Sequence, residues 1–578
     1  MKSTLRLLYL VMSISMASSG LFGQSNGFTE AFDAMHQVFS QYYPFSRWKA
    51  IKWDELNAMI RPKIVSAGNA NDSVAFYLAI KEYANSVPDG HIAIHGWEKF
   101  RETAKYRLIG GSYGFVLVRL DDGRMVSRLV DPGSPADLAG MQFGATILQV
   151  NDQPVNTALD TVSVLFGEDI PATLEYRELQ QSRLIGRAMV GKSMKVKFLD
   201  RGATDPVTAT LTAVDDNYKT YDQTSMIVLD PGPVVSGKII QPENFGYIKL
   251  TMEHGEDSAQ AKKIFTDFRD LVANFNSNGA RGMIIDLRVN AGGEDALSAA
   301  IAGLFINDTT FYEFWGEFIP LSDSIGVYQQ MMPLYKPMTT QKYYNPSYPL
   351  GSLYIEPQGT CFSNPVVVLI GPRNKSSGEG IPLALRELAN CKILGFHGTN
   401  GSFGVNAYEP FFFAPPQDLT LKFPWGVSLD KNKKIQLDSD STMTGGIIPE
   451  IRVPVNDSVI DELYIDSTDV EVNWAIRELK TMLGVDDHAG TGNGLVLEQN
   501  VPNPFESSTQ ISYKLPGNAY VILEVFDLCG RKLQTIISAE QEKGRHTFKW
   551  SSGRLGPGMY LYSLKAGSLQ SVRKCIIK

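Results

Sequence analysis

The sequence predicts a multidomain α+β protein: an N-terminal helical region, a β-rich module, an α/β core and a C-terminal β-sandwich. Three observations point there. Before about residue 105, apolar residues recur at helical spacing. Between about 243 and 455, continuous apolar runs of strand length alternate with amphipathic segments, the pattern of a mixed sheet with helices on its faces. Beyond a Gly-rich break at 484–494, short strand-like segments are punctuated by Gly, Pro and Asn, as in a small all-β domain. At 578 residues the chain is too long for one core. An apolar fraction of 43% is that of a globular protein, and a net charge of −8 offers no basic footprint for nucleic acid.

The N-terminus, MKSTLRLLYLVMSISMASSGLFGQ, is basic, then apolar, then small, which predicts a signal peptide over 1–23. No other stretch approaches the ~18 uninterrupted apolar residues of a membrane span, so a mature chain without a transmembrane segment is expected. Four cysteines suit an exported protein. Cys361 and Cys391 each precede a predicted strand and could be bridged if those strands are neighbours; otherwise they are thiols. No CxxC or His cluster supports a metal, and no cofactor is expected.

Residues 24–105 read as helices. FTEAFDAMHQVFSQYYPF places Phe28, Phe32, Met35 and Phe39 at helical spacing, and WDELNAMI and DSVAFYLAIKEYANSV continue the pattern. The third helix ends at Val87-Pro88-Asp89-Gly90, a strong breaker, and His91 follows. Trp48 and Trp53 read as core packing. Residues 106–215 change character: YGFVLVRLDDGRMVSRLV is two strands around an Asp122-Gly123 turn. DPGSPADLAGMQFGATILQVNDQPV then gives a turn of helix, a stop at Gly140 and a strand.

Residues 216–483 form the core. FGYIKLTM is a strand, AQAKKIFTDFRDLVANF an amphipathic helix, and RGMIIDLRV a strand too apolar for exposure. Asn290-Ala291-Gly292-Gly293 turns into the helix EDALSAAIAGLF. Later come the strand NPVVVLIGP, the heptad NKSSGEG, a helix over IPLALRELAN and the strand KILGF. After the linker at 484–494, residues 495–578 contain ISYKLP, YVILEVFDL, RHTFKW and MYLYSLKA, strands of a sandwich.

The heptad carries the chemistry. Reactive groups in open α/β sheets sit beyond the C-terminal ends of strands. Ser376 stands there, opening a helix whose first N–H groups have no helical partner and can hold a developing oxyanion. The Ser377 amide is one such group, and the Gly292-Gly293 turn offers a second exposed stretch of backbone. An N-cap is the ordinary role of such a serine.

Residues 106–215, through GSPADLAGM and GATILQVNDQPV, resemble a PDZ domain, which implies capture of an extended peptide at a sheet edge. FGYIKL, IIDLRVNAGG, VVVLIGPRNKSSGEG, ILGFHGTNGSFG and GGIIPEIRVP, in that order, resemble the tail-specific serine peptidases, the C-terminal processing and tricorn-core family. The resemblance implies an α/β core of ClpP/crotonase-like type, with Ser376 as nucleophile and Ser377 with Gly292 or Gly293 as oxyanion donors. One branch of the family uses a lysine after a Thr-x-Gly motif; here Thr399-Asn400-Gly401 is followed by Ser402. The tricorn-like branch uses a histidine at the end of the helical region, which matches His91, with His95 second. That branch's orienting glutamate would fall near Met443, which leaves Asp438, Asp440 and Glu379 as candidates, and Gly90 replaces the serine before the histidine.

The tail, with LEQNVPNPFESSTQISYKLP, VFDLCGRKLQT, KGRHTFKW and LGPGMYLYSLKAG, resembles the type IX secretion sorting domain. This implies export across an outer membrane and contact with that machinery. The expected function is an exported serine peptidase acting on peptides or protein C-terminal segments. The competing expectation is an inactive extracellular peptide-binding protein of the same fold.

Overall fold

The structure, a computed structural model, describes residues 27–227, 232–254, 258–318, 335–337, 347–349, 351–359, 361–406, 411–413, 418–484, 495–526, 532–553, 555–567 and 569–578. The expected signal peptide, Cys529 and the linker beyond Gly484 lie outside these residues. The chain forms two compact units that divide after Met482.

The first unit opens with three helices, α1 (Phe28–Tyr42), α2 (Trp53–Ala70) and α3 (Ser73–Asn85). Spacing dictates the burial: Phe28, Phe32, Met35 and Phe39 all face inward. Asp72 caps α3 by accepting the Val74 and Ala75 N–H groups. The helices share a core with Phe413, Leu419, Leu421 and Phe423, far along the chain. This packing sets the loop after α3, which carries His91, against residues 399–439. Lys49 pins the junction: its buried Nζ donates to Pro88 O at 2.9 Å and to Ser439 O and Oγ at 2.9 and 2.8 Å. Trp53 packs among Phe39, Tyr43 and Tyr83. Trp48 corrects the expectation of core packing. It is 41% exposed, and its Nε1 donates to Asp438 O at 2.9 Å, an amphipathic ring using its polar edge.

The β-rich module is an antiparallel sheet in the order β1 (Phe115–Arg119), β2 (Met125–Val130), β3 (Thr146–Val150), β4 (Ser193–Leu199) and β5 (Val207–Thr212). Asp122-Gly123 forms the expected turn between β1 and β2. Helix α4 (Leu174–Leu184) is capped by Thr173 and packs on β1.

The core sheet follows chain order: β6 (Val235–Ile240), β7 (Phe245–Leu250), β8 (Gly282–Asp286), β9 (Val366–Leu369), β10 (Cys391–Gly395) and β11 (Ile451–Arg452). β6 is antiparallel to β7, and every later pairing is parallel. Every residue of β8 and β9 is buried, as their unbroken apolar runs require. Helices α5 (Ser258–Ser277), α6 (Asp295–Ala302), α7 (Gly380–Leu385) and α8 (Val470–Met482) complete this region. Because β7, β8 and β9 run parallel, the segments leaving their C-terminal ends emerge at one edge. One difference is local: a 3₁₀ turn, Ser376–Glu379, precedes α7, which stops at Leu385 rather than spanning IPLALRELAN. β9 and β10 are neighbours, yet Cys361 and Cys391 are free thiols; Cys391 pairs across the ladder with Val366, five residues past Cys361.

The second unit is a sandwich. One sheet joins Val496–Leu497, Ser508–Leu515 and Gly544–Ser551; the other joins Lys532–Gln541, Ala519–Phe526, Gly558–Ala566 and Leu569–Ile577. Ile511, Tyr513 and Trp550 from the first meet Val521, Leu523 and Tyr562 from the second in one core.

Candidate active site

Ser376 sits past the end of β9 in a left-handed conformation, with φ of 54°. A non-glycine residue at positive φ is uncommon and concentrates at functional positions. Two neighbours hold it there. Its N–H donates to Ser402 O at 2.7 Å. Asn374 fixes the approach, donating from Nδ2 to Leu287 O at 2.6 Å and accepting the Gly371 N–H at 2.7 Å.

The glycine turn after β8 lies against the serine. Gly292 has φ of 98°, and a Cβ there would stand 2.6 Å from Lys375 O and 2.9 Å from Ser376 Cβ. Only glycine fits both the conformation and the approach. The Gly292 N–H is already given to Asn290 Oδ1 at 2.9 Å. Gly293 bridges Glu253, but those bonds run through Gly292 O and Glu294 N, leaving the Gly293 N–H outside the ladder. The Ser377 N–H stands in the first turn of a helix, without an acceptor inside it. Of the two glycines, Gly293 therefore has the N–H open to an incoming oxyanion.

Beneath this turn lies a polar cluster that sequence reasoning missed. Glu253 is fully buried. Its Oε1 accepts Asn290 Nδ2 at 2.7 Å, its Oε2 meets Ser298 Oγ, and Ser298 Oγ donates to Ser377 O at 3.1 Å. One carboxyl thus braces both the glycine turn and the Ser377 peptide. Burial pushes its pKa up to about 8, against the hydrogen bonds from Ser298 and Asn290. Glu253 follows the strand FGYIKL in the charged stretch Glu253-His254-Gly255-Glu256-Asp257, where nothing in the sequence sets it apart from its neighbours.

His91 stands in the loop after α3. Its side chain is 2% exposed, and neither ring nitrogen has a hydrogen-bond partner. Asp89 is the nearest acid, with Oδ1 3.6 Å from His91 Nδ1. Asp89 Oδ1 also accepts the His91 backbone N–H at 2.9 Å, and Oδ2 accepts the Tyr43 hydroxyl at 2.7 Å. Burial would raise the Asp89 carboxyl, but His91, Lys49 and Tyr43 outweigh it and hold its pKa at about 2. Its place two residues before His91, within the Pro-Asp-Gly-His stretch, was the signal that could have found it.

The acids expected to orient the histidine lie elsewhere. Glu379 is buried and accepts the Thr399 hydroxyl, the Gly401 N–H at 2.9 Å and the Ser402 N–H at 3.0 Å. It pins the loop that holds Ser376 rather than bonding to His91; burial raises its pKa to about 7 despite those bonds. Asp438 Oδ1 accepts the Phe403 and Gly404 N–H groups at 3.1 and 3.2 Å, and burial drives its carboxyl well up. Asp440 closes its own turn, accepting from the Thr442 and Thr444 N–H groups. The replacement at Gly90 has a steric reason. A Cβ there would meet Asn400 Oδ1 at 2.4 Å and Ser402 Oγ at 3.1 Å, and the Gly90 N–H donates to Ser402 Oγ at 2.9 Å.

Ser376, His91, Gly292 and Gly293 line one cavity of about 510 Å³, along with His95 and the loop from Val164 to Ile170. No hydrogen bond joins Ser376 to His91; catalytic pairs commonly tighten to hydrogen-bond reach only on binding substrate. A hydroxyl, an imidazole and the Gly293 N–H around one cavity, with the Ser377 N–H in the next peptide beyond Ser376, are the parts of acyl transfer. Among the described residues no group of His, Cys, Asp and Glu could hold a metal ion, and no helix is long and apolar enough to cross a membrane.

The fold and these groups define a serine peptidase, and comparison with known proteins agrees. Residues 244–453 match the model of peptidase family S41, residues 126–168 that of a PDZ domain, and residues 501–578 that of a secretion system C-terminal sorting domain. No curated protein sequence matches the chain. Mature CPAF complexed with lactacystin is similar in fold, at 12% identity and a TM-score of 0.51, covering 80% of this chain and 99% of that one. Mature CPAF alone gives 12% and 0.51, covering 78% and 98%. The chain thus carries a family S41 serine peptidase domain, a PDZ domain and a secretion sorting domain.

Proposed function

We propose that this exported peptidase cleaves peptide bonds with Ser376 as nucleophile, His91 as base, and the Ser377 and Gly293 N–H groups as oxyanion donors. The observation that carries the reading is the shared cavity: Ser376, His91 and the glycine turn come from three distant segments and line the same space. Ser376 Oγ attacks the scissile carbonyl carbon while His91 takes the hydroxyl proton. The carbonyl oxygen gains the charge and moves toward the two N–H groups. His91 then gives its proton to the leaving amine, and water releases the acyl group by the same route in reverse. Asp89 is the acid beside the imidazole, with Oδ1 3.6 Å from Nδ1. Glu379 acts on the loop of Ser402, at a remove from the chemistry.

In this reading residues 1–23 are a signal peptide, 24–105 the helical region of the peptidase, 106–215 the PDZ domain, 216–483 the core and 495–578 the sorting domain. Substrates are peptides or protein C-terminal segments, with the PDZ domain capturing the chain end. The tail engages a type IX secretion machinery, and the mature protein is released or held at the cell surface. A fluorophosphonate probe tests the centre. Wild-type protein becomes labelled, and Ser376→Ala does not; absence of labelling in folded wild-type protein favours the inactive binding protein.

A further inference from the structure

The charges around the catalytic cavity are unequally matched. Its two acids are neutralised by partners outside or beside the space. Glu168 meets Arg183 at 2.8 Å, and Asp169 meets Lys375 at 2.9 Å and also Arg373. Two of its cations are not. Lys81, on α3, and Lys422, on the strand Thr420–Lys422, line the cavity, and among the described residues neither has an ion-pair partner. The ammonium of Lys81 lies 5.5 Å from the centre of the Phe166 ring. Arg101 also acts on it, adding repulsion rather than relief. On a chain of net charge −8, the surplus inside this cavity is positive.

A half-buried ammonium without a counter-ion is costly unless something arrives to meet it. We propose that the cavity selects peptides presenting a carboxylate near the scissile bond, held by Lys81 with Lys422 as a second, more exposed cation. The proposal rests on the serine-peptidase reading for the position of the bond cut, but not for the binding of the carboxylate. The carboxylate could be an Asp or Glu side chain or the chain terminus, and one charge chemistry serves both. Burial, with Arg101 adding to it, lowers the Lys81 pKa to about 8, so the ammonium is still charged at neutral pH. Val164, Leu165 and Ile170, which line the same cavity, and the stem of Lys81 supply an apolar wall that strengthens the attraction by excluding water.

Matched peptide pairs test this. Asp is compared with Asn, Glu with Gln, and a free C-terminus with its amide, at each position flanking the cleaved bond; products are sequenced by mass spectrometry. Wild-type protein is expected to favour the acid about tenfold in kcat/KM at one position, the scale of a close charge pair. In Lys81→Met, which keeps the apolar stem, the ratio is expected to fall toward one, and in Lys81→Arg to persist. A ratio unchanged in Lys81→Met, or no acid preference at any position in wild type, overturns the proposal. Fluorescence anisotropy of the same pairs on Ser376→Ala protein decides the question without turnover. Acid and amide peptides binding equally well there also overturns it. Failure of the peptidase reading shows separately, as absence of fluorophosphonate labelling.

Discussion

The backbone N–H of Ser376 donates to the carbonyl oxygen of Ser402 at 2.7 Å, while the hydroxyl of Ser402 accepts the Gly90 N–H at 2.9 Å. One residue therefore fastens the nucleophile and the histidine loop to a common point. It follows Thr399-Asn400-Gly401, where the resemblance to tail-specific peptidases led a lysine to be expected, and it serves here as a tie between two loops.

Ser402→Ala removes the acceptor of the buried Gly90 N–H, and leaving such a donor unpaired costs about 1–3 kcal/mol. The loop bearing His91 is expected to loosen. Fluorophosphonate labelling of Ser376 should slow by about tenfold, while the carbonyl tie from Ser376 is kept. Labelling kinetics beside a denaturant titration separate the local effect from global unfolding. Ser402→Thr, which restores the hydroxyl, should recover much of the rate.

Gly292→Ala places a methyl 2.6 Å from Lys375 O and imposes a strained φ. The turn must retreat from Ser376 and carry the Gly293 N–H with it. Loss of one oxyanion donor costs about 10²–10³ in kcat. Peptide hydrolysis should fall by that order with KM little changed, measured on a fluorogenic peptide. A loss confined to KM would place the turn in binding alone.

Gly90→Ser, which installs the serine that the resemblance to tricorn-like peptidases led to be expected before His91, should harm this chain. Its Cβ would stand 2.4 Å from Asn400 Oδ1. The expected cost is about 1–3 kcal/mol of stability, seen in denaturant unfolding. Added activity in this variant would show that the loop has room the structure does not reveal.

Glu253 links stability to pH. Its folded pKa, about 8, exceeds the ordinary 4.5, so the folded chain holds the proton more tightly than the unfolded chain. The stabilisation is full below about 4.5 and is lost as pH rises through about 8. A protonated Glu253 donates to Ser298 Oγ, whose hydroxyl donates to Ser377 O; the amide of Glu253→Gln can do the same. Glu253→Gln should fold normally and flatten the fall of stability between those pH values. The slopes should differ by up to about 1.4 kcal/mol per pH unit. Glu253→Ala should lose activity at all pH values, because neither Asn290 nor Ser298 keeps its brace.

The architecture was legible because it rests on periodicity. The Phe28, Phe32, Met35 and Phe39 stripe and the run in RGMIIDLRV each admit one environment, and the structure buries both. The heptad between β9 and α7 was legible as a strand-to-helix junction. The supporting groups were not, because they act through space. Asp89 was read as part of a breaker, since Pro-Asp-Gly-His announces the end of a helix more strongly than it announces an acid. Glu379 was one of three acids offered to His91, with Asp438 and Asp440, whereas the fold turns it toward Thr399, Gly401 and Ser402. Trp48 was read by composition alone; its exposure follows from a partner, the Asp438 carbonyl, 390 residues away.

That separation has a consequence in time. Lys49 grips Ser439, and the loop that seats Ser376 closes only when residues 399–402 meet Gly90. A chain still emerging from the ribosome, or halfway through an export channel, cannot have assembled these contacts before its last third is present. A chain truncated before residue 399 lacks both ties, and its Ser376 should not take up a fluorophosphonate however well its first domains fold.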